Sequence, residues 1–338
     1  MSGGRPGYPP AVMTDIETAR GPLAADHLGV TLMHEHVFTL NTELQQNYPL
    51  GWDEDERMGD AVTKLTALKQ RGVDTIVDPT VIGLGRYIPR IERLAKLVEL
   101  NIVVATGLYT YNDVPFWFHY RGPGTLLDDG SIDPMATLFI GDIVDGVLDT
   151  SVKAAILKCA TDEAGLTPGV ERVLRAVARA HRDTGAPITT HTHAGTERGL
   201  DQQRVFTEEG VDLSHVVIGH SGDSTDLDYL KKLMDAGSTI GMDRFGVDVL
   251  LPFEDRVATV AALCQAGYAD RMVLAHDAAC FIDWFDEPVR QAMAPNWHYT
   301  HIHDDVLPAL GERGVTDDQI RQMLVDTPRR ILTPTQPY

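Results

Sequence analysis

His34 and His36 flank a single residue at the end of an apolar run, VTLMHEH. Residues two apart on a strand face the same way, so both imidazoles point to one side and Glu35 to the other. Two converging neutral imidazoles suit a borderline divalent metal such as Zn²⁺. Taken alone the pair reads equally well as two core or loop histidines. Lys158 closes the run AAILK. An ammonium at the inner end of an apolar strand is costly unless it is paired or chemically altered. Either the side chain snorkels to solvent, or its neutral amine takes up CO₂ and becomes a carbamate, an anionic ligand able to bridge two metals. His191 in ITTHTHAG, His220 in VIGHSGD and Asp277 in VLAHDAA follow the same pattern. His193 shares the parity of His191, so spacing leaves both open. Val273, Ala275 and Asp277 share one face, which turns His276 outward; the plainer reading of Asp277 is a helix cap or loop carboxylate. Together, four His, one Lys and one Asp stand at the ends of five apolar runs. That count suits two metals, each with two or three protein ligands and a position left for water.

The elements that must position these residues alternate regularly. Eight short apolar runs are predicted as strands: 30–36, 75–79, 102–109, 154–158, 187–191, 216–220, 239–243 and 272–277. Their near-continuous Val, Ile and Thr content fits strands buried on both faces of a parallel sheet. Amphipathic helices are predicted between them, most clearly over 169–183, where Val170, Val173, Leu174, Val177 and Ala180 form one stripe. Others are expected near 57–71, 87–99, 224–236 and 255–266, with a last one over 317–326 capped by Thr316. Eight alternations point to a single-domain (β/α)₈ TIM barrel, whose sites lie at the C-terminal ends of the strands. A doubly wound sheet would carry a glycine-rich turn after its first strand, and HEHVF stands there instead. The domain is expected over 18–338, behind a flexible Gly/Pro-rich segment, 1–17.

The 338 residues carry a net charge of −20. This argues against a nucleic-acid partner, which needs clustered Lys and Arg, and against docking on an anionic membrane. No run approaches the ~18 consecutive apolar residues of a membrane span. Three scattered cysteines, Cys159, Cys264 and Cys280, imply no disulfide framework. The opening MSGGRPGYPPAVMTD lacks the apolar core of a signal peptide, so a cytoplasmic protein is expected. His298, His301 and His303 invite reading as a second metal site, but spacings of three and two along a helix start do not converge. Cys159 faces away from Lys158 as a small core residue.

From about Thr18 to Leu332 the chain resembles the phosphotriesterase family of the amidohydrolase superfamily, and within it the phosphotriesterase-like lactonases. The resemblance is carried by GVTLMHEHVF, VATGLYTYNDVPFWF, ILKCATDEAGLTPGVERVLRA, PITTHTHAG, GLDQQRVFTEEGVDLSHVVIGHSGD, IGMDRFGVD, MVLAHDAAC and PNWHYTHIHDD. It implies His34, His36 and Asp277 as ligands of a more buried metal, His191 (rather than His193) and His220 as ligands of a more exposed one, and Lys158 as the carboxylated bridge, N6-carboxylysine. Zn²⁺ is the expected metal, with Co²⁺, Fe or Mn²⁺ as alternatives.

The same resemblance implies a homodimer that opens N-acyl-homoserine and related lactones with a hydroxide bridging the metals, and cleaves organophosphate triesters more weakly. Asp277, Tyr109 and Arg244 are the catalytic candidates; Tyr109, Tyr111, Arg244 and Phe245 match the lactonase branch. Alternatives are a triesterase or another ester or amide hydrolase on the same metals, and, in another class, a non-catalytic barrel scaffold. The long stretch 278–303 holds Phe281, Trp284 and Trp297, aromatics able to line a pocket for an acyl chain or simply to pack the loop. Relatives often carry Cys two positions after the metal-binding Asp; this chain has Ala279 there, beside Cys280, which is expected to widen the pocket.

Overall fold

Val, Ile and Thr at alternating positions build strands that bury both faces. The protein is described by a computed structural model covering residues 15–48 and 50–338. An antiparallel pair, β1 (Asp15–Thr18) and β2 (Gly21–Ala24), precedes the barrel. Of the segment expected to be flexible, 1–14 lie outside the described residues, and Asp15–Glu17 belong to β1.

The barrel strands are β3 (Thr31–Leu32), extended after a bend by β4 (His36–Thr39), then β5 (Thr75–Asp78), β6 (Asn101–Gly107), β7 (Ile156–Thr161), β8 (Ile188–Thr192), β9 (Val216–Ile218), β10 (Thr239–Met242) and β11 (Met272–Leu274), the last extended by β12 (Ala279–Ile282). β3 and β5–β11 form one parallel sheet in chain order. The Met33 N–H donates to Leu274 O (3.4 Å) and the Asp277 N–H to His34 O (3.0 Å), and β12 runs parallel to β4. The first and eighth strands thus close the barrel.

Parity along the strands divides the core. Met33, Val77, Val103, Ile156, Val217 and Val273 fill the interior. Their neighbours Leu32, Ile76, Ile102, Leu157, Ile218 and Leu274 pack outward under the helices. Lys158 shares the face of Ile156 and so points inward, whereas Cys159 packs outward with Leu157. Lys158 does not end its strand: the ladder with β8 continues to Thr161↔Thr192. Gly107 allows the close approach of β6, since a Cβ there would lie 1.9 Å from Lys158 O.

The amphipathic stripe at 169–183 forms the helix Pro168–Thr184, with Thr167 accepting from the Val170 N–H and Gly185 left-handed at the end. Helices at 54–70, 88–95, 227–235 and 253–265 correspond to four others expected. Thr316 caps its helix through a capping box with Gln319. The longest helices not expected from the pattern are Pro134–Val144 and Arg198–Glu208. No described helix is long and apolar enough to cross a membrane.

Candidate metal centre

At the closing seam the HxH pattern does two jobs. Glu35 is fully buried and accepts from the His276 N–H (2.8 Å), His276 Nδ1 (2.6 Å) and the Ala278 N–H (3.2 Å). It thereby clamps the segment that carries Asp277 against the first strand. Burial drives the Glu35 carboxyl up and the His276 imidazole down, favouring the neutral form of each. His34 and His36 are released to the opposite side.

Each candidate imidazole is held at one nitrogen and offers the other inward. Asp243 is the common anchor for two of them: its Oδ1 accepts from His220 Nδ1 (2.9 Å) and the His220 N–H (2.8 Å), and its Oδ2 lies 3.2 Å from His34 Nδ1. His36 Nδ1 meets Thr80 Oγ1 at 2.7 Å, and Thr80 in turn donates to Asp78 at 2.5 Å. His191 Nε2 donates to Asp162 (2.6 Å), leaving Nδ1 facing the Tyr109 hydroxyl at 3.3 Å. Outer partners of this kind fix the tautomer and the ring orientation of a metal-binding histidine. None of Asp78, Asp162 and Asp243 was singled out from sequence, although Asp243 stands in IGMDRFG, one residue after the end of β10.

The inner atoms converge. Asp277 Oδ1 lies 3.3 Å from His36 Nε2 and 3.5 Å from His34 Nε2, and its Oδ2 lies 3.7 Å from His220 Nε2. Donors around a tetrahedral ion with bonds of about 2.0–2.1 Å are about 3.4 Å apart, so these separations fit a shared ion better than mutual hydrogen bonds. His34, His36 and Asp277 form one group able to hold a metal, and His34, His220 and Asp243 a second. Burial pulls His34 and His220 down, and His191 down to about 4, keeping them in the neutral form that binds metal. Burial pushes Asp277 up, but His220, His36, His34 and Arg244 together hold it well below the usual carboxylate range.

Lys158 is 1 % exposed, and its Nζ lies 3.1 Å from His34 Nε2 and 3.1 Å from Thr190 O. The amine meets an imidazole and a carbonyl rather than a carboxylate, and burial lowers it to about 8 against the pull of Asp277 and Asp243. His220 and Asp277 both adopt left-handed φ, 57° and 55°. Non-glycine residues held there cost about 1–3 kcal/mol each and concentrate at functional sites.

His34, His36, Lys158, His191, His220 and Asp277 line a cavity of about 260 Å³. Tyr109, Tyr111, Arg244, Ala279, Trp284 and Trp297 line it as expected, joined by Leu84, Val247, Val249, Leu250, Ile282, Phe285 and Met293, which the sequence did not flag. Cys280 and Phe281 stand outside it. Cys280 lies on the opposite face of β12 from Ala279, against the Tyr299 hydroxyl (3.2 Å), and Phe281 turns to Trp52 and lies under Arg57. Phe245 is buried in the outer core. His193 turns away to Thr196 (2.8 Å). His301 pairs with Asp305 (2.8 Å), and the 298–303 histidines form none of the metal-binding groups found among the described residues.

Asp243 offers a direct test of this arrangement. Asp243→Asn is expected to lower affinity for divalent metal about 10–100-fold while the fold is retained. Competition with a chromogenic chelator measures it; unchanged affinity would show that Asp243 orients neither imidazole.

A sequence model of the phosphotriesterase family matches residues 14–332. A "Phosphotriesterase homology protein" of Mycobacterium tuberculosis is 66 % identical over 320 residues, covering 94 % of this chain and 98 % of that one. An "Aryldialkylphosphatase" of Saccharolobus solfataricus is 42 % identical over 308 residues, covering 90 % and 95 %. The solved "Structure of the phosphotriesterase from Mycobacterium tuberculosis" superposes with a TM-score of 0.94 at 65 % identity, over 96 % of this chain and 100 % of that one. With that coverage and a barrel whose rim gathers buried histidines around a carboxylate, the chain belongs to the phosphotriesterase family of metal-dependent hydrolases.

Proposed function

We propose that the protein is a binuclear metal-dependent lactonase that opens N-acyl-homoserine lactones and related lactones, with weaker activity on phosphotriesters. The observation that carries this reading is the mixed lining of one cavity: the polar donor set shares it with the apolar side chains of Val249, Leu250, Ile282, Trp284, Phe285 and Met293. An acylated ring fits such a lining, its carbonyl at the donors and its chain along the apolar side chains.

In this reading His34, His36 and Asp277 would hold one ion and His191 and His220 the other, with Lys158, as its carbamate, supplying an anionic ligand to the pair. The carbamate forms when the neutral amine adds to CO₂ and releases a proton. Two divalent ions, Zn²⁺ by preference, supply an acidified water and a polarised carbonyl. Asp277 takes up the water's proton and passes it toward the leaving alkoxide. Arg244, 3.0 Å from Asp277 Oδ2 through Nε, holds that carboxylate in line. The Tyr109 hydroxyl, beside His191, orients the substrate's carbonyl or leaving oxygen.

The name of the Saccharolobus solfataricus relative supports a phosphotriesterase activity on the same site. A phosphoryl centre, like a carbonyl, needs a polarised oxygen and an attacking hydroxide. The deciding experiment is kcat/KM on butanoyl- and decanoyl-homoserine lactone, paraoxon and an acyl amide. Lactones should lead; a much higher value on paraoxon or the amide would move the protein out of the lactonase branch. Three free, buried cysteines suit a reducing cytoplasm. The exposed side chains of Phe116, Trp117 and Leu126 suit burial in a homodimer.

A further inference from the structure

Arg256 is 2 % exposed, among the largest side chains wholly inside the protein. A buried guanidinium is costly unless its charge and its donors are satisfied. Its Nη2 lies 2.7 Å from Asp223 Oδ1, which answers the charge. Its donors also reach three carbonyls: Nη1 to Gly222 O (2.8 Å), Nε to Leu251 O (3.1 Å) and Nη2 to Val247 O (3.2 Å). Val247 and Leu251 bracket the segment whose Val249 and Leu250 are more than half exposed and form part of the cavity wall. Asp223 is shared: its Oδ2 accepts from Arg244 Nη1 (2.8 Å), and Arg244 Nε donates to Asp277 Oδ2 (3.0 Å). The Val247 N–H donates to Arg244 O (3.2 Å), which ties the two ends of the array together. Alternating charges therefore run Asp277–Arg244–Asp223–Arg256, from the metal-facing carboxylate to the base of the wall.

We propose that Arg256 is a positioning residue that sets the 247–251 wall against Arg244, coupling the fit of an apolar substrate tail to the placement of Asp277. A guanidinium can do this because its planar fork spreads five donors over three nitrogens and so reaches acceptors on separate segments, whereas the three donors of an ammonium radiate from one atom. The proposal rests on the reading of this cavity as the pocket for an acylated substrate.

Arg256→Lys keeps the charge beside Asp223 and removes the fork. The expected result is metal content as in the wild type and amide hydrogen exchange at 247–251 faster by about tenfold, the scale of losing one or two hydrogen bonds. KM for decanoyl-homoserine lactone should rise about tenfold and that for the butanoyl compound by less than about threefold, while kcat falls by a common factor for both. Arg256→Gln, which also loses the charge, should lower kcat further. Unchanged exchange at 247–251, an equal rise in KM for both chain lengths, or metal loss in both variants overturns the proposal, the last because it marks Arg256 as fold support alone. The lactonase reading fails separately, if the wild type opens neither lactone; the exchange result and the kcat of both variants on paraoxon then decide the role of Arg256.

Discussion

Lys158→Met is expected to yield a folded barrel that binds less than one equivalent of metal and has almost no hydrolase activity. The methionine fills the same buried volume between β6 and β8, so the interior packing of Ile156 and its neighbours survives. What disappears is the group that the proposed site would share between its ions, with Nζ 3.1 Å from His34 Nε2. Metal activation of a water is worth several kcal/mol, and each ~1.4 kcal/mol is tenfold in rate, so kcat/KM should fall about 10³–10⁴-fold. Metal analysis, circular dichroism and lactone turnover on the same preparation separate site loss from unfolding. Two equivalents of metal with wild-type turnover would remove Lys158 from the site. The wild type should also show a mass increase of one CO₂ in native mass spectrometry at neutral pH, lost on acidification, because a carbamate decomposes when protonated.

Asp277→Asn probes the proton-handling step. The amide retains an oxygen toward His34 and His36, so most of the metal should stay bound, while kcat falls about 10²–10⁴-fold, the usual scale for losing general acid–base catalysis. Replacing one oxygen by NH₂ also presents donor to donor toward Arg244 Nε or the imidazoles, which adds local displacement. A kcat within about threefold of wild type at full metal occupancy would show that another group carries the proton.

The barrel and its rim were legible in sequence because parity and strand order are local. His34 and His36 two apart, Lys158 on the face of Ile156, and Asp277 on the face of Val273 all follow from a period of two. The supporting carboxylates were not legible, because Asp243 reaches His34 only once the barrel has closed, and Asp162 reaches His191 only once β7 has paired with β8. The two longest helices absent from the expected pattern escape it for opposite reasons. PMATLFIGDIV is too uniformly apolar to show a stripe, while Arg198–Glu208 buries Gln202 and Gln203 on its inner face, where they donate to His191 O (2.9 Å) and Leu233 O (2.8 Å). The pocket wall was read one-sidedly. The aromatic loop after the eighth strand drew notice, whereas Val247, Val249 and Leu250 after the seventh look like ordinary loop aliphatics. Phe281 was misplaced because parallel pairing of β12 with β4 sets it beside Phe38, next to Trp52.

The Glu35 clamp makes barrel closure and completion of the site a single event. Five candidate donors, His34, His36, Lys158, His191 and His220, have been synthesised by residue 220, but Asp277 reaches them only when the eighth strand docks on the first. A growing chain therefore lacks Asp277 at its rim until the barrel is whole.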